Sequence, residues 1–261
     1  MLCLGDIVGA PGRSALKTAL PVLKKDLQAD FVIANGENAS GGAGLDPKSA
    51  EEILSFGVDL ITLGDHTWQR ASIKEYLDKN RENCIRPANY PGEVPGRGWA
   101  IKEAAGVKIA VFNLLGRIFM GGPLDCPFSC ADKLLNTALS DCRIRILDMH
   151  AEATSEKIAM SRFLDGRVSL IFGTHTHVQT ADEELFSSGT AYISDLGMCG
   201  PTQGVLGMKS TVSIKRFTNG MRYSYEVESG PSALQGIFCD FKAQTGHASY
   251  IERIRIPLLT E

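Results

Sequence analysis

Short apolar runs alternate with longer amphipathic segments through the first two thirds of the chain. That pattern predicts strands alternating with helices, and so an α/β architecture. Leu2–Leu4 reads as a strand running into Gly5-Asp6-Ile7-Val8-Gly9, and Pro11 opens a helix with apolar positions at Leu16, Leu20 and Leu23. Phe31–Ala34 is a second strand, ending in Asn35-Gly36-Glu37-Asn38. Asp46-Pro47 supplies a cap and first turn for a helix through about Phe56. Leu60–Leu63 is a third strand, ending in Gly64-Asp65-His66, and a helix follows over Ala71–Lys79. Trp99–Glu103 and Lys108–Leu114, joined through Ala105-Gly106, predict a hairpin. A helix over Ala131–Leu139 leads to the strand Ile144–Met149, which ends at His150. A helix over Thr154–Leu164 and the strand Val168–Phe172 precede Gly173-Thr174-His175-Thr176-His177. Beyond residue 188 the pattern changes to strands and turns: Thr190–Ser194, Thr211–Phe217, Arg222–Val227 and Ile251–Pro257. With no repeat, charge block or linker, residues 1–261 read as one domain of two sheets with flanking helices.

Composition narrows the function classes. A formal charge of −3 argues against a broad nucleic-acid-coating surface, and 44% hydrophobic with 22% charged residues is ordinary for a soluble globular protein. No stretch approaches the ~20 apolar residues of a membrane span, and no signal peptide is evident. Seven scattered cysteines do not make a disulfide framework, so a cytoplasmic location is expected. Cys126 and Cys130 form a pair without the second pair that a zinc site needs.

The candidate chemistry is positional. Asp6, Glu37, Asp65 with His66, His150, and His175 with His177 all follow apolar strands directly. In open α/β sheets the crevice beyond the carboxyl ends of the strands is where ligands bind, so these separated segments can converge. Carboxylates with imidazoles suit first-row divalent metals, and six or more such ligands exceed one zinc site but fit two cations sharing a carboxylate. Such a pair generates a nucleophilic hydroxide at neutral pH and clamps a phosphate in line with it, leaving His66 to give a proton to the departing alkoxide. Taken singly, Asp6 and Glu37 are more often turn or cap residues, and His66 alone could be a helix-start residue and His150 a satisfied core histidine. Gly41-Gly42-Ala43-Gly44 is neither a dinucleotide fingerprint nor a P-loop, His150-Ala151-Glu152 is not a zinc-protease motif, and no nucleophile elbow is present.

At these residues the sequence resembles a known family. Gly5-Asp6-Ile7-Val8-Gly9, Ala34-Asn35-Gly36-Glu37-Asn38-Ala39, Gly64-Asp65-His66-Thr67-Trp68, Arg86-Pro87-Ala88-Asn89-Tyr90, Asp148 to Glu156 and Gly173 to Asp182 are similar, in order, to the YmdB family of bacterial calcineurin-like metallophosphoesterases. The resemblance implies a four-layer αββα sandwich and a phosphodiesterase acting on cyclic nucleotides, 2′,3′-cyclic ones favoured over 3′,5′-cyclic. It implies two divalent or mixed-valence transition-metal ions, iron or manganese, with zinc or magnesium as alternatives. Carried over by motif, Asp6, Asn38 and His177 hold one ion and Asp65, His150 and His175 the other. Glu37 bridges them, and His66 is the acid or phosphate stabiliser. Val8 stands where the wider superfamily has a histidine, and Asn38 fills that vacancy. Where the family has Gly-Asn-His, this chain has Gly-Asp-His, which adds a negative charge at Asp65. Arg13, Arg117 and Phe128 are candidate substrate contacts, the arginines for phosphate and Phe128 for stacking on a base. The alternative is a non-catalytic metal-containing regulator that binds RNA or a protein partner, and homo-oligomerisation is left open.

Overall fold

A computed structural model of the chain describes residues 1–258. Its elements run β1 (Leu2–Leu4), β2 (Asp6–Ile7), α1 (Gly9–Asp26), β3 (Val32–Asn35), α2 (Pro47–Ser55), β4 (Leu60–Thr62), α3 (Ile73–Lys79), β5 (Cys84–Ile85), β6 (Trp99–Ala104) and β7 (Val107–Leu115). They continue with α4 (Pro127–Asn136), β8 (Ile144–His150), α5 (Thr154–Leu164), β9 (Leu170–Thr174), β10 (Glu184–Leu185), β11 (Ala191–Ile193), β12 (Met198–Pro201), α6 (Ser210–Asn219), β13 (Ser232–Phe241) and β14 (Ala248–Leu258). One sheet is ordered β2-β12-β13-β1-β3-β4-β5, with β14 on the other edge of β13; the second is ordered β10-β11-β9-β8-β7-β6. β1, β3 and β4 run parallel in the first sheet, as do β7, β8, β9 and β11 in the second.

Strand alternation explains the layering, because successive side chains leave a strand on opposite faces. Leu2, Leu4, Val32 and Ala34 pack outward against Leu16 and Leu20 of α1 and Ile53 of α2. Cys3 and Ile33 point the other way, into a core shared with Val111, Ile146, Leu170 and Phe172 of the second sheet. Phe112, Leu147 and Met149 leave that sheet's far face to meet Ala131 and Leu135 of α4 and Met160 and Leu164 of α5. Three cores therefore separate four layers, the αββα sandwich expected from the sequence. All seven cysteines are free thiols, and no helix among the described residues is long and apolar enough to cross a membrane.

Two expectations fail in the last third of the chain. Thr211–Phe217, read as a strand, lies within helix α6. Its β-branched residues mimic alternation, but burial does not alternate: Ser213 is buried while Ile214 and Phe217 are exposed. The helix ends at Gly220, whose left-handed φ of 70° and N–H bond to the Arg216 carbonyl make it a glycine C-cap. Arg222–Val227 forms no strand, contributing a single bridge between Val227 and Met208. Conversely β13, which the alternation pattern missed, is central to its sheet, pairing with β1 and β12 on one side and β14 on the other. Its residues are buried on both faces, so they show no polar alternation to read.

Candidate metal centre

The loops that leave β1, β3, β4, β8 and β9 meet at one end of the sandwich. Gly64 is where two of these loops pass closest: a Cβ there would fall on Glu37 Oε2 and His150 Nε2, so only glycine lets the Asp65 turn approach. Glu37, Asp65, His150 and His175 each offer one ligand atom, and all four atoms lie within 4.8 Å of one another. His150 Nε2 is 3.0 Å from Asp65 Oδ1, 3.3 Å from Glu37 Oε1 and 3.1 Å from His175 Nδ1. The remaining donors stand on the other side of Glu37. Asn38 Nδ2 is 3.1 Å from both Glu37 Oε1 and His177 Nε2, and His177 Nε2 is 3.8 Å from Asp6 Oδ1. All seven predicted ligands thus form one cluster in which Glu37 is common to both halves. His66 sits at its edge, donating its backbone N–H to Glu37 Oε2 at 3.0 Å and its Nδ1–H to Asn38 Oδ1 at 2.7 Å.

The cluster's own electrostatics indicate what it can hold. Asp6 is fully buried, accepts the His175 N–H through Oδ2, and has no hydrogen-bond partner at Oδ1. Burial, only partly offset by His150, pushes Asp6 up to about 8, and the charges of Glu37 and Asp195 add to the rise. Burial would raise Glu37 as well, but the charge and hydrogen bond of His150 hold it below its ordinary value. Against its own desolvation, hydrogen bonds from His150 and His175 hold Asp65 far lower still. Burial alone would lower His150, yet Glu37 and Asp65 raise it well above the usual imidazole value; burial lowers His177. Oxygens and ring nitrogens this close repel unless protons or cations lie between them, and the orphaned Asp6 oxygen is a lone pair with no proton to accept. Oxygen and imidazole donors without thiolate fit a first-row divalent cation. Asn38 is the one donor that needs adjustment, since its amide nitrogen, not its oxygen, faces His177 and Glu37.

Buried groups behind the cluster fix its donors. Thr174 donates its hydroxyl to Asp148 Oδ1 at 2.6 Å, so the same oxygen must accept from His150 Nδ1, 2.8 Å away. That leaves Nε2 facing Asp65 and Glu37. Asp148 also accepts from Thr62 Oγ1 at 2.5 Å and Asn35 Nδ2 at 3.3 Å. Asp195 accepts from Thr176 N at 3.1 Å and Gly197 N at 2.8 Å, and pairs with the buried Lys157 at 2.8 Å. The sequence reading gave no role to Asp148, Thr174, Lys157 or Asp195. An aspartate inside the apolar run Ile144–Met149 was the available signal for the first; Lys157 and Asp195, far apart in the chain, carry none.

A cavity of about 550 Å³ opens over the cluster. Glu37, Asn38, His66, His175 and His177 form its polar floor, and Val205, Leu206, Met208, Phe217 and Tyr225 its apolar wall. The three candidate substrate contacts are not among its lining residues. Arg13 is held against α2 by Glu52 at 2.6 Å and also donates to the Ala39 carbonyl. Arg117 lies on an exposed loop whose backbone N–H groups are bound by the buried Glu156 at 3.0 Å. Phe128 packs edge-on against Phe163, 5.5 Å between centroids, beside the α4–α5 core. Ion pairing claims Arg13 and packing claims Phe128, while Arg117 is fixed through its backbone alone.

The chain matches the family described as YmdB-like protein over residues 2–254. It is 45% identical to a 2′,3′-cyclic-nucleotide 2′-phosphodiesterase of Bacillus subtilis (strain 168), over 98% of this chain and 96% of that protein. Among solved structures it is similar to a hypothetical protein from Thermus thermophilus, with a TM-score of 0.92 and 36% identity over 98% of each chain. A novel phosphatase from Mycoplasma pneumoniae also gives a TM-score of 0.92, with 38% identity over 98% of this chain and 92% of that one.

Proposed function

Because the chain belongs to the YmdB-like protein family, we propose that it is a metal-dependent phosphodiesterase that hydrolyses 2′,3′-cyclic nucleotides. The observation that carries this is the convergence of donors from five loops on a cluster centred on Glu37, at the floor of a cavity of nucleotide size. Asp6, Asn38 and His177 would hold one ion, Asp65, His150 and His175 the other, and Glu37 would serve both. When bound, a pair of iron or manganese ions supplies Lewis acidity, drawing charge from a phosphoryl group and lowering the pKa of water.

The chain's own residues do the rest. Coordination through the Asn38 oxygen asks the amide to turn, which presents Nδ2 in place of Oδ1 to His66 Nδ1. The His66 ring then carries its proton on Nε2, the nitrogen not engaged with Asn38, and can donate a hydrogen bond from it to the leaving oxygen, stabilising the charge that develops there. The Thr174–Asp148 pair keeps the His150 tautomer fixed throughout. Free thiols agree with a reducing cytoplasm, and the inter-sheet core supports reading the chain as one domain. The departure at Asp65 is the one feature that favours a non-catalytic regulator, and against it the Asp65 Oδ1 lies within 3.3 Å of both His150 and His175, in the position of a ligand.

The test is elemental analysis of the purified protein beside a panel of cyclic and linear phosphodiesters. Two metals per chain and cleavage of 2′,3′-cyclic AMP are expected, with His66→Ala keeping the metals and losing about 10²- to 10⁴-fold in kcat. Metal-loaded protein inert on every phosphodiester, with Glu37→Gln changing nothing, would refute the proposal.

A further inference from the structure

Beside its polar floor, the cavity is walled by a part of the chain distant in sequence from the ligand loops and joined to them where the Leu206 carbonyl lies 3.1 Å from His177 Nδ1. Leu206 and Met208 follow β12, Phe217 is in the last turn of α6, and Tyr225 comes just after it. Phe217 is 78% exposed. A large ring left mostly in water adds little to a core, and apolar surface beside a polar site marks a binding face. The segment carrying Tyr225 is pinned in place. Lys209 N donates to the Glu226 carbonyl and Glu228 N to the Gly207 carbonyl, each at 2.8 Å, and Arg216 donates to the Tyr223 carbonyl. The Arg216 guanidinium also lies over the Tyr225 ring, 4.2 Å from its centroid.

Ser213 gives an independent indication. It lines the same cavity, it is 1% exposed, and its hydroxyl has no hydrogen-bond partner. A buried unpartnered hydroxyl is uncommon and costly unless something outside the chain completes it. We infer that Phe217, Tyr225 and Ser213 form the nucleobase subsite, the rings stacking on the base while the hydroxyl meets its polar edge. The inference rests on the phosphodiesterase reading: the phosphate lies at the Glu37-centred floor and the base reaches across to the wall. Stacking tolerates any base, since each has a π-face, so the subsite distinguishes nucleotides from phosphodiesters without a base and favours the larger purines.

The experiment compares kcat/KM for adenosine 2′,3′-cyclic phosphate with that for methyl riboside 2′,3′-cyclic phosphate, which has no base. The wild type should prefer the nucleotide. Phe217→Ala, at an exposed position that folding does not depend on, should cut that preference about 5- to 100-fold, mainly through KM, and Phe217→Trp should restore it. If the wild type treats both substrates alike, or Phe217→Ala leaves the ratio unchanged, the subsite is disproved while the phosphodiesterase stands. Inertness of the wild type toward both removes the phosphodiesterase reading itself, and the subsite falls with it.

Discussion

Replacing Asp6 by asparagine should stabilise the metal-free protein while abolishing its response to metal. Asp6 is fully buried, one of its oxygens has no partner, and its pKa stands at about 8 against a reference near 3.8. A folded-state pKa raised in this way contributes stability below the unfolded value, and that contribution is lost as pH rises through the folded one. Between those limits the folded state holds one proton more than the unfolded state, so this carboxyl costs about 1.4 kcal/mol of stability per pH unit. The asparagine side chain of the variant binds no such proton. The stability difference, Asp6→Asn minus wild type, should therefore grow by about 3 kcal/mol from pH 5 to pH 7. Taking the difference removes titrations that do not depend on Asp6; Asp6 and His150 act on each other, so the part of the His150 titration that Asp6 causes is counted with Asp6. Urea unfolding with chelator at pH 5, 6 and 7 measures it. Adding manganese should then raise the wild-type midpoint and leave that of Asp6→Asn nearly unmoved. A difference that stays flat with pH, or a variant that manganese stabilises as strongly as the wild type, would refute the assignment of Asp6 as a buried carboxyl whose proton a cation displaces.

Two further substitutions probe neighbouring parts of the cluster. Asp65→Asn restores the asparagine usual in the family and removes one of three negative charges from the set Asp6, Glu37 and Asp65. It should raise turnover and shift bound iron away from the oxidised form, as read by electron paramagnetic resonance beside kinetics; metal content, oxidation state and rate all unchanged would count against the charge argument. Thr174→Val keeps the shape but strips Asp148 of a hydroxyl donor and His150 Nδ1 of its acceptor. It should cost about 1–3 kcal/mol by urea unfolding and weaken manganese binding about 10- to 100-fold by calorimetric titration, and a variant normal in both measurements would dismiss the relay.

The polar half of the site was legible because acids and imidazoles at strand ends stand out from the apolar runs before them. A histidine or carboxylate directly after an apolar strand has few other uses when the pattern repeats at Asp6, Glu37, Asp65, His150 and His175, and parallel strands bring such ends together. The apolar half was illegible for the converse reason. Phe217 and Tyr225 belong to residue types that ordinarily fill cores, and they lie where β-branched residues imitated a strand and concealed α6. Phe128, a sequence candidate for stacking on a base, is partly buried and packs edge-on against Phe163, outside the lining of the cavity. The Lys157–Asp195 pair had no local signature, since its partners are 38 residues apart.

Periodicity could not have shown how His175 and His177 divide their partners. Residues two apart in an extended strand share a face, yet His175 Nδ1 meets His150 and Asp65 while His177 Nε2 meets Asn38 and Asp6. The backbone leaves extended geometry at both residues, with φ of 100° at His175 and 64° at His177, a region that costs a non-glycine residue about 1–3 kcal/mol. Such a turn persists only if its surroundings hold it. Thr176, between the two, donates its N–H to Asp195, and the buried Lys157 ammonium ties that carboxylate to the Thr174 carbonyl. Breaking a buried ion pair from one side costs about 3–5 kcal/mol, more than the strain at either histidine, so the turn cannot relax cheaply. The left-handed turn is therefore what aims two neighbouring imidazoles at opposite halves of the Glu37-centred cluster, and the buried lysine is what keeps them aimed.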